Sequence, residues 1–253
     1  MIKNEGDIHL VSLSGGKDST AMLLMMIDKG IHIDDIVFID TGKEFDEIYQ
    51  HLDILEKRIG RKITRLIPEN TFEYYMFDYV KTKGKNKGEK GYGFPRFNVR
   101  WCTANLKLQT MRHYKREKYP RNNVIEYIGI AKDEEYRIKE YNPNKIYPLI
   151  QWDITEKDAL EYCLNAGYDF NGIYNYFSRV SCWCCPFKSV EDYRTIYKYF
   201  PDKWAILKEW NSKSINNIRK DYSIDELEKR FIYEETKGLG KNKYYTNKHK
   251  GDK

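Results

Sequence analysis

No apolar segment of this 253-residue sequence approaches the length that a membrane span requires. The longest wholly apolar run, Ala21–Ile27, has seven residues, whereas a transmembrane helix needs about 20. The first residues also lack the apolar core of a secretory signal peptide. We therefore expect a cytoplasmic globular protein without a membrane partner.

Cysteine is scarce and unevenly placed. Five cysteines are too few for the disulfide framework of a secreted protein of this length. Cys182, Cys184 and Cys185 fall within four residues, and Cys102 lies 80 positions before the first of them. This crowding predicts a metal or redox site. Cys163 instead falls inside an apolar helical pattern, which predicts a buried thiol.

A net excess of positive charge is absent from most of the chain, although the formal net charge is +6. Lys81–Lys90 contains five lysines and one glutamate, and Lys237–Lys253 contains six lysines and one aspartate. Without these two segments the chain has more acidic than basic side chains. Their Gly, Lys and Asn content predicts flexible segments, which are either solvated or in contact with a nucleic-acid backbone.

Strand-like and helix-like patterns alternate through the first half of the chain. Strands are predicted over residues 8–13, 35–39, 62–67 and 124–130, with helices after the first strand, over about 46–59 and over 102–118. The pattern at 155–158 resembles a capping box, which predicts the start of a further helix. This alternation predicts an α/β fold: a Rossmann-like, doubly wound, mainly parallel sheet, followed by a helical C-terminal region that carries the cysteine metal site. The predicted domains are 1–150, 151–236 and a flexible lysine-rich tail, 237–253.

A phosphate-binding loop is predicted between the first strand and its helix, which Asp18 or Ser19 would cap. Its glycines let a phosphate approach the backbone, and the helix N-terminus, the lysine and the hydroxyls favour an anion. The Walker A spacing is absent. The loop consists of Ser14, Gly15, Gly16, Lys17, Asp18 and Ser19.

These motifs resemble those of the phosphoadenosine phosphosulfate (PAPS) reductase family, within the adenine nucleotide α-hydrolase-like, or PP-loop ATP pyrophosphatase, superfamily. The resemblance begins with the loop at 14–19 and covers about residues 8 to 210. The later motifs, in the same order as in the family, are Val37–Phe45, Arg100–Thr103, Ile128–Glu134 with Arg137, Tyr147–Leu149 and Arg179–Phe187.

The resemblance implies an adenine-nucleotide site for ATP or PAPS, with Mg²⁺. Catalytic roles fall to Lys17, Asp18 and Cys102. Arg137 either binds a phosphate or pairs with Glu134, and Glu44 is either a Mg²⁺ ligand or a solvated carboxylate. The implied nucleotide-binding residues are Ser14, Gly15, Gly16, Lys17, Asp18, Ser19, Phe38, Asp40, Thr41, Gly42, Gly129 and Arg137.

The cysteines predict a thiolate metal site. Cys182 and Cys185 form a C-x-x-C pair, a spacing that suits zinc or an iron–sulfur cluster. In iron–sulfur members of the family, a cysteine near the position of Cys102 joins the later pair around a 4Fe–4S cluster. The fourth ligand is then Cys184, a different residue or none. Zinc is the alternative.

Three functions follow from the resemblance. The favoured one is an ATP-dependent adenylating enzyme in sulfur transfer, similar to DNA-phosphorothioation sulfurtransferases, with a nucleic-acid acceptor held by Lys81–Lys90 and Lys237–Lys253 and with a sulfur-donor protein. The first alternative is a PAPS or adenosine phosphosulfate reductase. It is disfavoured because no cysteine follows Cys185 in this sequence. The second alternative is a nucleotide-binding partner subunit without turnover.

Overall fold

The computed structural model describes residues 6–238. Its sheet is wholly parallel, with the strand order β3-β2-β1-β4-β5. Parallel neighbours require crossover connections, which helices supply here. The predicted α/β, Rossmann-like fold is therefore confirmed. The strands are β1 (Asp7–Leu13), β2 (Asp35–Ile39), β3 (Thr64–Leu66), β4 (Asn123–Ile128) and β5 (Lys145–Ile146).

Helices lie between the strands and after the last of them. A π-helical turn spans Tyr74–Asp78, and short 3₁₀ helices span Lys132–Arg137 and Phe170–Asn175. The α-helices of the described chain are α1 (Lys17–Asp28), α2 (Asp46–Ile59), α3 (Gln109–Lys118), α4 (Pro148–Gln151), α5 (Glu156–Asn165), α6 (Val190–Tyr199), α7 (Pro201–Lys213) and α8 (Ile224–Thr236).

The central strand β1 determines where a ligand can bind. Leu10 and Val11 are fully buried, and β1 pairs with β2 on one side and β4 on the other. The strand order reverses between β1 and β4. Open α/β sheets bind ligands at the carboxyl ends of the strands at such a reversal. The loop at 14–19 follows β1 at this point.

Two helix predictions need correction. The N-cap of α1 is Gly16, so Asp18 and Ser19 lie inside its first turn. The Ser19 hydroxyl accepts a hydrogen bond from Ser14 N (3.1 Å) and donates one to Gly16 O (3.1 Å), so it closes the loop and does not cap the helix. The predicted helix over 102–118 begins as a π-helical segment, Cys102–Leu108, and continues as α3.

Contacts divide the described chain into two compact units. The first comprises residues 6–40, 44–68 and 107–173, and the second comprises 41–43, 69–106 and 174–238. The sheet and α5 therefore belong to the first unit. Within this unit α5 packs on α1, and the Cys163 thiol lies 3.5 Å from the Lys17 carbonyl oxygen.

The lysine-rich segment Lys81–Lys90, which was predicted to be flexible, closes on itself through backbone hydrogen bonds. Lys81 N donates to Glu89 O (2.9 Å), Gly88 N donates to Lys81 O (2.8 Å), and the two side chains at 81 and 89 form an ion pair. Most of the tail, 239–253, lies outside the described residues. Within 6–238, no helix is long and apolar enough to cross a bilayer.

Candidate functional site

The loop at 14–19 is held in place by its own serines and by α2. The Ser14 and Ser19 hydroxyl oxygens lie 2.9 Å apart. Gly15 has φ +77°, and a Cβ at this position would lie only 2.8 Å from Ile48 Cγ2. Glycine is therefore required by both backbone conformation and space. The loop places the N-terminus of α1, the positive end of its helix dipole, at the switch point of the sheet.

Gly129 brings the segment after β4 directly against this loop. A Cβ at Gly129 would lie 2.7 Å from Ser19 Cα and 2.8 Å from Ser19 N. Both atoms belong to the backbone of α1, so a side chain here would displace the first turn of the helix. The predicted site residue Gly129 thus has a clear packing role beside the loop.

Three carboxylates meet at this point, and we call Asp18, Glu134 and Glu156 the carboxylate cluster. Ligand oxygens of the three side chains all lie within 4.8 Å of one another. Asp18 comes from the first turn of α1, Glu134 from the 3₁₀ helix after β4, and Glu156 from the first turn of α5. All three elements belong to the first unit.

The electrostatics of the cluster favour a cation. Burial raises the pKa of Asp18 to about 6; Lys17 opposes this shift, whereas Glu156 and Glu134 add to it. Asp18 Oδ1 is buried and has no hydrogen-bond partner among the described residues. Mg²⁺ prefers carboxylate and phosphate oxygens. The donor set and the unpartnered oxygen therefore fit a divalent cation.

Lys17 and Arg137 lie at the cluster and not on the open surface of the loop. Lys17 is 4% exposed, with its Nζ 2.9 Å from Glu156 Oε1 and 3.6 Å from Asp18 Oδ2. Arg137 pairs with Glu134, which was one of its two predicted roles. Both cations partly neutralise the carboxylates, so the cluster retains less negative charge than three acids alone.

The remaining residues predicted to bind a nucleotide lie at the end of β2 and just after it. The ring of Phe38 is 1% exposed and packs edge-on against Tyr49. Asp40 accepts a hydrogen bond from the Tyr49 hydroxyl (2.7 Å). Thr41 Oγ1 is buried without a hydrogen-bond partner in the described chain, and Gly42 is exposed with φ +68°.

Glu44 does not belong to the carboxylate cluster. It is 8% exposed and lies 3.6 Å from Lys107 Nζ. This ion pair gives Lys107 a carboxylate partner. The Arg100 guanidinium lies over the ring of Phe187, 5.2 Å from its centroid.

The second unit contains the other candidate site, where four of the five cysteines occur. The backbone at the C-x-x-C pair is fixed by two bonds: Cys185 N donates to Cys182 O (3.0 Å), and the Tyr193 hydroxyl donates to Cys185 O (2.8 Å). Cys102, Cys182 and Cys185 are partly exposed, and Cys184 is buried. Burial raises the pKa of the Cys184 thiol well above its usual range, and the neighbouring Cys182 and Cys185 add to this shift.

The donor chemistry of these cysteines suits a soft metal. Thiolates in a C-x-x-C spacing bind either zinc or an iron–sulfur cluster, so the residues present fit both groups.

Cys163 has the packing role that its helical context predicted. It is fully buried in α5, and burial raises the pKa of its thiol to about 12. A thiol in this state is a poor nucleophile at neutral pH.

Glu134 and Glu156 were not among the site residues predicted from the sequence. Glu134 was seen within the fourth-strand motif, and Glu156 was seen in the helix-start pattern at 155–158. Position at the carboxyl end of a strand was an available signal for Glu134. No local signal marks Glu156, because only the packing of α5 on α1 brings it to the cluster.

Curated relatives match most of the chain. A protein of Methanocaldococcus jannaschii is 30% identical over 220 residues, covering 81% of this chain and 42% of that protein. A second protein of the same organism is 27% identical over 242 residues, covering 90% and 54%. A nin-region protein of Escherichia phage lambda is 29% identical over 177 residues, covering 64% and 61%. The chain therefore spans about half the length of the two Methanocaldococcus relatives.

Solved structures are similar at much lower identity. The PAPS reductase of Candida auris, in complex with phosphate, is 16% identical with a TM-score of 0.44, covering 69% of this chain and 81% of that chain. The U34-tRNA thiolase NcsA of Methanococcus maripaludis, with its 4Fe-4S cluster, is 14% identical with a TM-score of 0.46, covering 83% and 72%. Likeness at this level does not transfer an activity.

The family model of the phosphoadenosine phosphosulfate reductase domain matches residues 8–188. This range includes β1 with its loop, the carboxylate cluster and all five cysteines. The chain therefore belongs to the phosphoadenosine phosphosulfate reductase family.

Proposed function

We propose that this chain is an ATP-dependent adenylating enzyme that acts in sulfur transfer onto nucleic acid. An acceptor oxygen attacks the α-phosphorus of ATP, and the bond from that phosphorus to pyrophosphate breaks. A sulfur nucleophile then attacks the activated acceptor carbon, and AMP leaves with the oxygen. Family membership supports nucleotide chemistry, and the choice of adenylation depends on the first unit.

The carboxylate cluster is the observation that carries this proposal. Three carboxylates beside a phosphate loop would repel a polyphosphate, and Lys17 and Arg137 neutralise only part of that charge. A divalent cation between carboxylate and phosphate oxygens removes the conflict and stabilises pyrophosphate as it leaves. Thiol attack on a phosphosulfate releases no pyrophosphate and makes no such demand. The cluster therefore favours Mg²⁺ with ATP.

In the proposed reaction, the groups of the first unit have distinct roles. Backbone N–H groups at the start of α1 would bind the phosphates, while Asp18, Glu134 and Glu156 would hold the Mg²⁺. Lys17 holds Asp18 and Glu156 together through its ammonium group. Positioned charge of this kind is a large contribution to catalysis of phosphate transfer.

We further propose that Cys102, Cys182 and Cys185 hold a 4Fe–4S cluster, with Cys184 as the alternative fourth ligand. The C-x-x-C spacing supports a thiolate site of this kind, and zinc is the alternative. Such a cluster with three protein ligands would supply an open coordination position for sulfur. A separate donor protein would deliver the sulfur.

Pyrophosphate release from ATP tests the adenylation step. We expect release by the wild-type chain with Mg²⁺, and a fall of about 10- to 100-fold for Asp18→Asn, because the cation loses a ligand. Mg²⁺ with ATP should also raise the melting temperature of the wild type and not that of Asp18→Asn. Glu117→Gln is the matched control, since Glu117 is an exposed acid on α3.

Two results would contradict the proposal. The first is the absence of pyrophosphate release with and without single-stranded RNA or DNA. The second is thiol-dependent release of sulfite from PAPS, which would identify a reductase instead.

A further inference from the structure

Two phenylalanines of the second unit are exposed side by side. Phe97 is 84% exposed and Phe187 is 46% exposed, and their rings meet edge to face with centroids 6.4 Å apart. The Arg100 guanidinium lies 5.2 Å from the centroid of the Phe187 ring. We call Arg96, Phe97, Arg100 and Phe187 the Phe–Arg platform.

The backbone holds Phe97 outward. Arg96 and Val99 exchange two backbone hydrogen bonds, of 3.2 and 3.1 Å, so Phe97 and Asn98 form the tip of a tight hairpin. The hairpin is anchored by Trp101, which is 4% exposed and donates its Nε1–H to Gly93 O (3.1 Å). A large apolar ring held in water on an anchored turn has no packing role in this unit, and grouped exposed apolar side chains mark interaction sites.

The charge of residues 81–100, which include most of the platform, indicates the class of partner. Residues 81–100 contain seven basic side chains and one acid, and the one acid, Glu89, is paired with Lys81. In the described chain no carboxylate pairs with Arg96 or Arg100. The basic residues are Lys81, Lys83, Lys85, Lys87, Lys90, Arg96 and Arg100. This balance complements a polyanion and disfavours a basic or neutral peptide.

We propose that the Phe–Arg platform binds an unpaired nucleotide of single-stranded nucleic acid. A base stacks on an exposed aromatic ring whatever its identity, and arginine guanidinium groups bind the adjacent phosphates. A duplex keeps its bases stacked inside and would not offer them to Phe97. The occupant is therefore a single strand with accessible bases.

The platform also joins the two cysteine-bearing segments. Arg100 lies two residues before Cys102, and Phe187 lies two residues after Cys185, so the contact between Arg100 and Phe187 links both segments. A nucleotide stacked there is held beside the candidate thiolate site. That the nucleotide is the sulfur acceptor rests on the proposed function, whereas its binding does not.

Fluorescence anisotropy without ATP tests the platform. The probes are labelled 12-mers of uridine RNA and thymidine DNA, titrated with the full chain at several salt concentrations. We expect Phe97→Ala to weaken binding about tenfold with an unchanged salt slope, because stacking carries no counterion release. Arg100→Gln should reduce the salt slope by about one. The control is Tyr141→Ala, an aromatic that is 90% exposed in the first unit.

An abasic 12-mer separates stacking from charge. It should bind the wild type and Phe97→Ala equally, and Phe187→Ala should repeat the behaviour of Phe97→Ala. Thermal unfolding checks that each variant is folded. The proposal is overturned if neither oligonucleotide binds, if Phe97→Ala binds like the wild type, or if Phe97→Ala weakens abasic binding as strongly.

The RNA and DNA arms show which nucleic acid is preferred. Pyrophosphate release from ATP, with and without single-stranded RNA or DNA, is measured on the same preparations. If binding depends on Phe97 but no pyrophosphate is released, the platform is supported and the adenylation is refuted. If pyrophosphate is released but binding does not depend on Phe97, only the platform is refuted.

Discussion

Without a bound cation, the ionised Asp18 carboxylate in the candidate nucleotide site destabilises the folded chain. Its pKa is raised to about 6 from 3.8, so the folded chain binds this proton more tightly than the unfolded chain. The free energy of unfolding therefore falls as the pH rises from about 4 to 6. The ionised carboxylate costs about 3 kcal/mol at neutral pH. A bound divalent cation would offset that cost, which is a physical reason for cation-dependent stability.

His51 has the opposite effect in the same range of pH. Burial lowers its pKa to about 4, Asp169 opposes the shift and Arg58 adds to it. The neutral ring packs against Phe170 with the two ring centroids 4.2 Å apart, and its Nε2 lies 3.1 Å from the Thr20 hydroxyl oxygen. Between about pH 6.5 and 4 the unfolded chain binds the proton and the folded chain does not, so His51 destabilises the fold as the pH falls.

We predict that His51→Gln flattens the acid side of the stability profile. Urea unfolding of the wild type should show a loss of about 3 kcal/mol from this group between pH 6.5 and 4, and the variant should lack it. Because Asp18 acts in the opposite direction, the difference between variant and wild type is the quantity to measure. His113→Gln, on α3, is the control. Parallel profiles for His51→Gln and the wild type would contradict the shift.

At the scale of elements, Gly129, which follows β4, lies directly against the first turn of α1. We predict that Gly129→Ala lowers the free energy of unfolding by about 1–3 kcal/mol and weakens ATP binding, because the added Cβ would push against the Ser19 backbone. Urea unfolding and ATP titration measure the two effects.

Gly60→Ala is the control for this substitution. Gly60 has φ +62°, but no atom lies within 4 Å of the position of an added Cβ. Its cost should come from the backbone alone, about 1 kcal/mol, with ATP binding unchanged. Equal effects of the two substitutions on ATP binding would show that the contact between Gly129 and Ser19 does not position the loop.

The elements also show which parts of the site can be predicted from sequence. The pattern at 155–158 predicted a capping box, and Thr155 and Asp158 form it at the start of α5. Residues 46–59 were predicted as a helix, and α2 has these bounds. These are local signals. That Glu156 meets Asp18 depends on how α5 packs on α1, and no local pattern encodes that contact.

At the scale of the whole molecule, the parallel sheet was predictable because β1, β2 and β4 are short, largely apolar runs that are each followed by a glycine within three residues. The interleaving of the two units was not predictable. Residues 69–106 leave the first unit and residues 107–173 return to it, and the boundary at 106–107 falls inside the helical segment Cys102–Leu108, where composition marks no break. Unit boundaries depend on contacts between distant residues, which composition does not report.

The metal content of the whole chain distinguishes an iron–sulfur cluster from zinc at the candidate thiolate site. We predict iron and sulfide, with broad visible absorbance, in protein purified without oxygen. Cys182→Ser and Cys102→Ser should lose this absorbance, because each removes a ligand. Cys163→Ser is the control, since Cys163 is buried in α5 of the first unit. Stoichiometric zinc in a colourless protein would refute the cluster.

The place of β1 in the sheet has a consequence for synthesis. Its partner β4 pairs Asn123 with Asp7, 116 residues earlier in the chain. At about 5–20 residues per second, a ribosome needs roughly 10 s to deliver that partner. Throughout this interval one edge of the central strand waits without a neighbour, while residues 69–106 of the other unit emerge. Codon choice between the two strands and the supply of chaperones therefore bear directly on the yield of folded protein.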